Sequence, residues 1–217
     1  MVTYKDTADI KQKLAGELDW ADCVVAGPGL SKSDTAKEIV AEMIAYQPKR
    51  EKRLPVLLDA DALNIIAENR KLLSGIAENE GSSKQYVYTP HMGEAARLSG
   101  KSIAQLKETS CESAKELAQK LCGVCVLKDA ATIVSDGRHI YINTSGNSGM
   151  STAGAGDTLT GILAGSVLAA SYEFFEKICM GVYLHGRAGD AAADRFGNAG
   201  MKAMDIADAV ANVLKEN

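Results

Sequence analysis

Four apolar runs, Asp22–Ala26, Pro55–Asp59, Tyr86–Thr89 and Val124–Lys128, show no polar alternation. A strand with one wet face alternates, whereas a strand covered on both faces does not. Helical patterns fill the gaps: Thr35–Tyr46, then Ala62–Ile66, then Gly93–Leu98 with Ser110–Leu121. This order predicts an α/β fold, a mainly parallel sheet with helices on both faces and right-handed crossovers. Beyond the fourth run the pattern changes. Thr132–Ser135 and His139–Asn143 flank Asp136-Gly137, a two-residue hairpin signal, so an antiparallel pair is expected at the sheet edge. A loop is expected over Thr144–Ala153, followed by helices Asp157–Ala169, Phe174–Asp194 and Ala203–Leu214. At the front, Met1–Trp20 reads as one helix, Asp9–Leu18. No repeat or linker divides the chain, and residues 1–217 are expected to form one domain.

Composition excludes more than it identifies. A length of 217 residues is enough to bury a core without staples. The net charge of −4 gives no support for nucleic acid or a membrane surface as partner. The basic run Lys49-Arg50 with Lys52-Arg53 is broken by Glu51 and reads as a solvated loop. No apolar run approaches the roughly 18 residues of a membrane span. Five cysteines, with no secretory signal in front, point to a reducing, cytoplasmic compartment. Cys122 and Cys125 have the spacing of a redox or zinc pair. They run straight into apolar Val126-Leu127 with no second pair at zinc spacing, so core packing is expected.

The chemistry-bearing segment is Asn147–Asp157. Glycines at 146, 149, 154 and 156 lie just before a long helical pattern. Glycine lets backbone N–H groups turn toward a ligand, and a helix N-terminus adds about half a positive charge. Together they make a place for phosphate oxygens. Asp157 follows the last glycine and faces whatever lies in front of the helix. The bland alternative is a glycine-rich turn with Asp157 as a capping acid. Four glycines followed by an acid favour the phosphate site.

That segment resembles the GxGD signature of ribokinase-like enzymes. Other stretches narrow the likeness to the ADP/ATP-dependent NAD(P)H-hydrate dehydratases. They are Gly27-Pro28-Gly29-Leu30, Leu58-Asp59-Ala60-Asp61-Ala62-Leu63-Asn64, Thr89-Pro90-His91-Met92-Gly93-Glu94, Val126-Leu127-Lys128 and Leu184-His185-Gly186-Arg187-Ala188-Gly189-Asp190. The resemblance implies repair of hydrated NADH or NADPH by removal of water, driven by ADP or ATP with Mg²⁺. It implies Asp157 as the catalytic base and as a substrate contact, with Gly29, His91 and Glu94 the further substrate contacts. It implies nucleotide contacts at Lys128, Asp129, Ala130, Ala131 and Thr132, and at Asn147, Gly149, Met150, Gly154, Ala155 and Gly156. No dedicated metal cluster is visible. Two alternatives stay open: a small-molecule kinase of the same superfamily, acting on a vitamin precursor or sugar, and a truncated nucleotide-binding homologue inactive alone.

Several residues have a second reading. Gly29 could simply supply a tight turn. His91 could start a helix after Pro90, and Glu94 sits in a first turn where an acid is favoured anyway. Asp61 reads as an N-cap for Ala62–Ile66. Asp59, at a strand's carboxyl end, lies where α/β proteins bind ligands. His185 reads as packing within its helix. Two features depart from the family. Asp129 follows Lys128 where glycine is usual, and a carboxylate there repels polyphosphate unless turned away or bridged by metal. The front is also short: a strand–helix region normally precedes Asp22. An unpaired sheet edge there predicts a homo-oligomer, or a chain that supplies the N-terminal region.

Overall fold

The computed structural model describes residues 7–47, 51, 53–78, 84–169 and 172–215. Most of the basic run (Lys49, Arg50 and Lys52) lies outside the described residues, as does the front of the chain before Thr7. Six strands form one sheet in sequential order. They are β1 (Val24–Ala26), β2 (Leu54–Leu58), β3 (Lys84–Tyr88), β4 (Val124–Leu127), β5 (Ile133–Ser135) and β6 (Ile140–Ile142). The first four run parallel, and β5 and β6 are antiparallel additions at one edge, as expected.

Sequential order has a consequence. Successive right-handed crossovers that advance in one direction place their helices on one face. That face carries α1 (Thr7–Trp20), α2 (Asp34–Ala45), α3 (Ala60–Glu68), α4 (Arg70–Glu78), α5 (Met92–Ser99), α6 (Ile103–Glu108) and α7 (Ser110–Lys120). The opposite face is covered by chain that follows the hairpin: α8 (Ala155–Ser166) and α9 (Phe174–Phe196), with α10 (Ala203–Lys215) packed on both. The strands feed both layers with a period of two. Leu54, Val56, Leu58, Tyr86, Tyr88, Cys125 and Leu127 enter the first core, while Leu57, Val87, Val124, Val126 and Val134 enter the second. Cys125 is buried and its thiol is pushed up to about 12 by that burial, so it packs as a small apolar residue.

Three details differ from the sequence reading. Two short helices, α4 and α6, occupy stretches left without an element. The hairpin loop has four residues, Asp136–His139, because the register pairs Ser135 with Ile140. The Asp136 carboxylate organises it by accepting from the Arg138 and His139 amides at 2.8 and 2.6 Å. The N-cap of α3 is Asp59, which accepts from the Ala60 amide at 2.9 Å. Asp61 instead accepts from the Ser31 amide at 2.8 Å and ties the loop carrying Gly29 to α3.

No described helix is long and apolar enough to cross a membrane. A cavity of about 900 Å³ lies between α8, α9 and α10, lined by apolar groups such as Ile162, Met180 and Leu214.

Candidate active site

The carboxyl ends of the parallel strands and the N-terminus of α8 meet at one place. Asp59 follows β2, His91 lies just beyond β3, and Lys128 follows β4. His91 and Lys128 form an isolated parallel bridge that extends the sheet by one step. The Lys128 ammonium donates to Asp59 Oδ1 at 2.8 Å, and the Asp59 side chain is only 3% exposed. The second Asp59 oxygen accepts from the Thr160 hydroxyl of α8 at 3.0 Å. A buried carboxylate needs this much compensation, since removal of one partner of a buried pair typically costs about 3–5 kcal/mol. The pair also fixes α8, because Thr160 lies one turn beyond Gly156. A Cβ placed on Gly156 would stand 3.6 Å from the Lys128 ammonium and 4.0 Å from Asp59 Oδ2.

His91 and Glu94 form a reciprocal cap at the start of α5. The Glu94 carboxylate accepts from the His91 amide at 2.9 Å, and His91 Nδ1 accepts from the Gly93 amide at 2.9 Å. His91 Nε2 lies 3.3 Å from Glu94. These contacts assign the ring proton to Nε2. Burial holds the Glu94 carboxyl above its usual range, opposed by the His91 amide, the His91 ring and the Lys128 charge. The capping reading of both residues is therefore physically present. His91 nevertheless keeps about half its side chain in solvent, beside Lys128.

The glycine-rich loop completes the site. Asn147 starts a 3₁₀ turn, Ser148–Met150, by accepting from the Gly149 amide at 3.0 Å. Gly154 begins α8 with φ +89°, in the left-handed region where a side chain would be strained. That turn leaves the first α8 amides of Gly156 and Asp157 without an intrahelical acceptor. Asp157 is exposed in the same first turn. Behind the turn lies His185 of α9. Burial, with a smaller push from the Lys128 charge, lowers its imidazole to about 4 against the opposing hydrogen bond with the Ala155 backbone. Its Nε2 is buried without a partner.

The structure thus brings Lys128, His91, Glu94 and the Ala155–Asp157 turn together at the strand ends. Ala130 and Ala131 are exposed in the turn after Lys128, and Thr132 pairs its carbonyl with the Asn143 amide at 2.9 Å. Asp129 is turned toward Lys107 of α6, at 3.5 Å. Gly29 lies in the β1–α2 loop, on a different set of contacts held by Asp61. Sequence reasoning missed Thr160 and the loop-holding role of Asp61. Thr160 carries no local signal, since its partner is 101 residues away.

A mainly parallel sheet with a left-handed glycine turn opening a helix at its strand ends fits the ribokinase-like α/β fold that the sequence resembles. Comparison with known proteins carries this further. The NAD(P)H-hydrate dehydratase family model matches residues 1–212, and the chain belongs to that family. It is 40% identical over 194 residues to the bifunctional NAD(P)H-hydrate repair enzyme Nnr of Escherichia coli, covering 89% of this chain and 34% of that one. It is 38% identical over 209 residues to the ADP-dependent (S)-NAD(P)H-hydrate dehydratase of Neisseria meningitidis, covering 94% and 65%. Among solved structures, it is similar to the ADP/ATP-dependent NAD(P)H-hydrate dehydratase of Bacillus subtilis co-crystallised with ATP and Mg²⁺. There the TM-score is 0.76 at 25% identity, over 95% of this chain and 69% of the other. The chain spans about a third of the length of the first curated relatives it matches.

Proposed function

We propose that this chain binds ADP or ATP with Mg²⁺ at the strand ends and uses it to remove water from hydrated NADH or NADPH. One observation carries the reading: the first turn of α8, opened by Gly154, packs against the Lys128–Asp59 pair with Asp157 exposed in that same turn. Hydroxide leaves poorly, so the ring hydroxyl is first phosphorylated. Asp157 takes the hydroxyl proton, the terminal phosphoryl group moves to the oxygen, and the nucleotide departs one phosphate shorter. Inorganic phosphate then leaves as the adjacent ring carbon loses a proton, restoring the double bond. The α8 amides of Gly156 and Asp157 and the Lys128 ammonium supply donors for phosphoryl oxygens.

Nucleotide contact is assigned to Lys128, Ala130, Ala131, Thr132, Gly149, Met150, Gly154, Ala155 and Gly156, and to Asp129 through its backbone, since its carboxylate is turned toward Lys107. Asn147 contributes by shaping the loop. Gly29, His91, Glu94 and Asp157 are assigned to the hydrated cofactor. Magnesium ordinarily uses one or two carboxylates together with substrate phosphates, and no cluster of three or more ligating side chains occurs among the described residues. The nucleotide's own oxygens would therefore hold most of it. Its part is to neutralise polyphosphate charge. All five cysteines are free thiols, which fits a reducing cytoplasm. The edge strand β1, with Val25 exposed, and the apolar groove of α8–α10 favour association with a second copy or another polypeptide.

The test is absorbance recovery of NADH from its hydrate, with ADP and ATP in separate arms. Nucleotide-dependent recovery, with phosphate released, is expected. A phosphorylated alcohol that accumulates as final product would establish a kinase instead, and recovery without nucleotide would remove the phosphoryl step.

A further inference from the structure

The glycine-rich loop is not held by its own bonds alone. Its conformation is gripped by one stretch of α9, residues Tyr183–Asp190, at successive points. The Ser145 hydroxyl donates to the Tyr183 carbonyl at 3.0 Å. The Asn147 side-chain amide donates to the Gly189 carbonyl at 2.9 Å and to Asp190 Oδ1 at 3.1 Å. The Gly146 amide donates to Asp190 Oδ2 at 3.0 Å. Close approach makes these bonds possible, since a Cβ on Gly186 would overlap Ser145. His185, one residue before it, reaches the Ala155 backbone.

Asp190 is the oddity in this set. A carboxylate behind a loop proposed to receive phosphate raises the electrostatic cost of an incoming anion. Its two oxygens are nevertheless each occupied by a loop donor, and the loop turns where they bind. The Gly146 amide is drawn back toward α9, and the Asn147 side chain is held so that its own oxygen caps Gly149. A carboxylate alone can accept from both donors in this geometry. A carboxamide accepts through one oxygen and sets its NH₂ against the other donor.

We infer that Asp190 is a positioning residue for the nucleotide site: it acts through Gly146 and Asn147 to fix the loop that carries Gly149 and Gly154. This rests on the reading of that loop as the nucleotide's phosphate site. It assigns α9, acting on the loop's own Asn147, as an element that preorganises binding.

The test uses Asp190→Asn, Asn147→Ala, and the exchanged pair Asn147→Asp with Asp190→Asn. Hydrogen exchange of the ligand-free protein reads the loop, and calorimetry with Mg-ADP and Mg-ATP reads the site. In Asp190→Asn, exchange at residues 145–150 should rise about tenfold while the β2–β4 amides keep wild-type protection. Nucleotide affinity should fall about tenfold, and KM for nucleotide should rise more than kcat falls. The exchanged pair regains one side-chain hydrogen bond and should recover part of the affinity. Unchanged loop exchange overturns the inference, and so does unchanged nucleotide affinity with a loosened loop. If wild-type protein binds neither nucleotide, the functional reading fails by itself, and loop exchange in the free protein still decides whether Asp190 positions the loop.

Discussion

The two halves of the site are built by opposite means. At the strand ends, side chains are bonded to each other: Asp59 to Lys128 and Thr160, Glu94 to His91. In the loop half, backbone does the presenting, and the grip comes from α9 behind it. The strand-end carboxylates are buried and committed, while Asp157 is exposed in a helix's first turn. A base must be free to accept a proton, so the difference supports the proposed assignment of that role to Asp157 in the loop half. Asp59, attractive from its position alone, is occupied as the cap of α3 and the partner of Lys128.

The largest expected effect separates these halves directly. Asp157→Asn keeps size and the first-turn position, so stability should change by about 1 kcal/mol or less. Turnover should fall by about 10²–10⁴, the usual contribution of a positioned base, with nucleotide affinity nearly intact. Asp59→Asn should do the reverse, chiefly lowering the melting temperature, since Lys128 would lose its partner. Near-wild-type turnover in Asp157→Asn would falsify the assignment of the base and move it to the strand ends.

How far this division could be read beforehand depends on distance along the chain. The parallel strands were legible because burial on both faces leaves uninterrupted apolar runs, and Leu54–Leu58 is buried throughout. The turn at Gly154 was legible because glycine spacing is local. The α3 cap was misread because Asp59 and Asp61 stand two residues apart and either can cap; the tie of Asp61 to Ser31 spans 30 residues. Asp190 reaches Gly146 across 44 residues, and nothing in either neighbourhood announces the other. Helix α4 was overlooked although Leu72, Leu73 and Ile76 mark one face. The two-residue turn was wrong because the Asp136 carboxylate stabilises a longer loop.

A smaller effect sharpens the contrast through pH. His185 is lowered from an ordinary 6.5 to about 4, chiefly by burial, behind the loop half. The unfolded chain therefore takes up this proton first. Above pH 6.5 the group has no influence on stability. As pH falls toward 4 the folded state loses stability, by at most about 3 kcal/mol from this group. His185→Gln should be less acid-sensitive than wild type over that window, and the difference between the two curves isolates this group from the carboxylates. Parallel acid-unfolding curves would mean that the imidazole is hydrated or charged in the native protein.

The smallest effect tests where the halves touch. The Cβ position of Gly156 is 3.6 Å from the Lys128 ammonium, an ordinary contact, so alanine fits there. Glycine within a helix is less favourable than alanine by about 1 kcal/mol, and Gly156→Ala should leave the fold unharmed or slightly more stable. Valine adds two methyl groups beyond that point. They enter the space before Lys128, where phosphate oxygens must approach both the ammonium and the α8 amides. Gly156→Val should therefore weaken Mg-ADP or Mg-ATP binding about tenfold, which corresponds to about 1.4 kcal/mol. Its melting temperature should stay within a few degrees of wild type, since the site faces solvent and not the core. Calorimetry giving equal affinities for glycine, alanine and valine at this position would show that the phosphates do not pass between α8 and Lys128, and would separate in function the two halves that the Asp59–Thr160 contact joins.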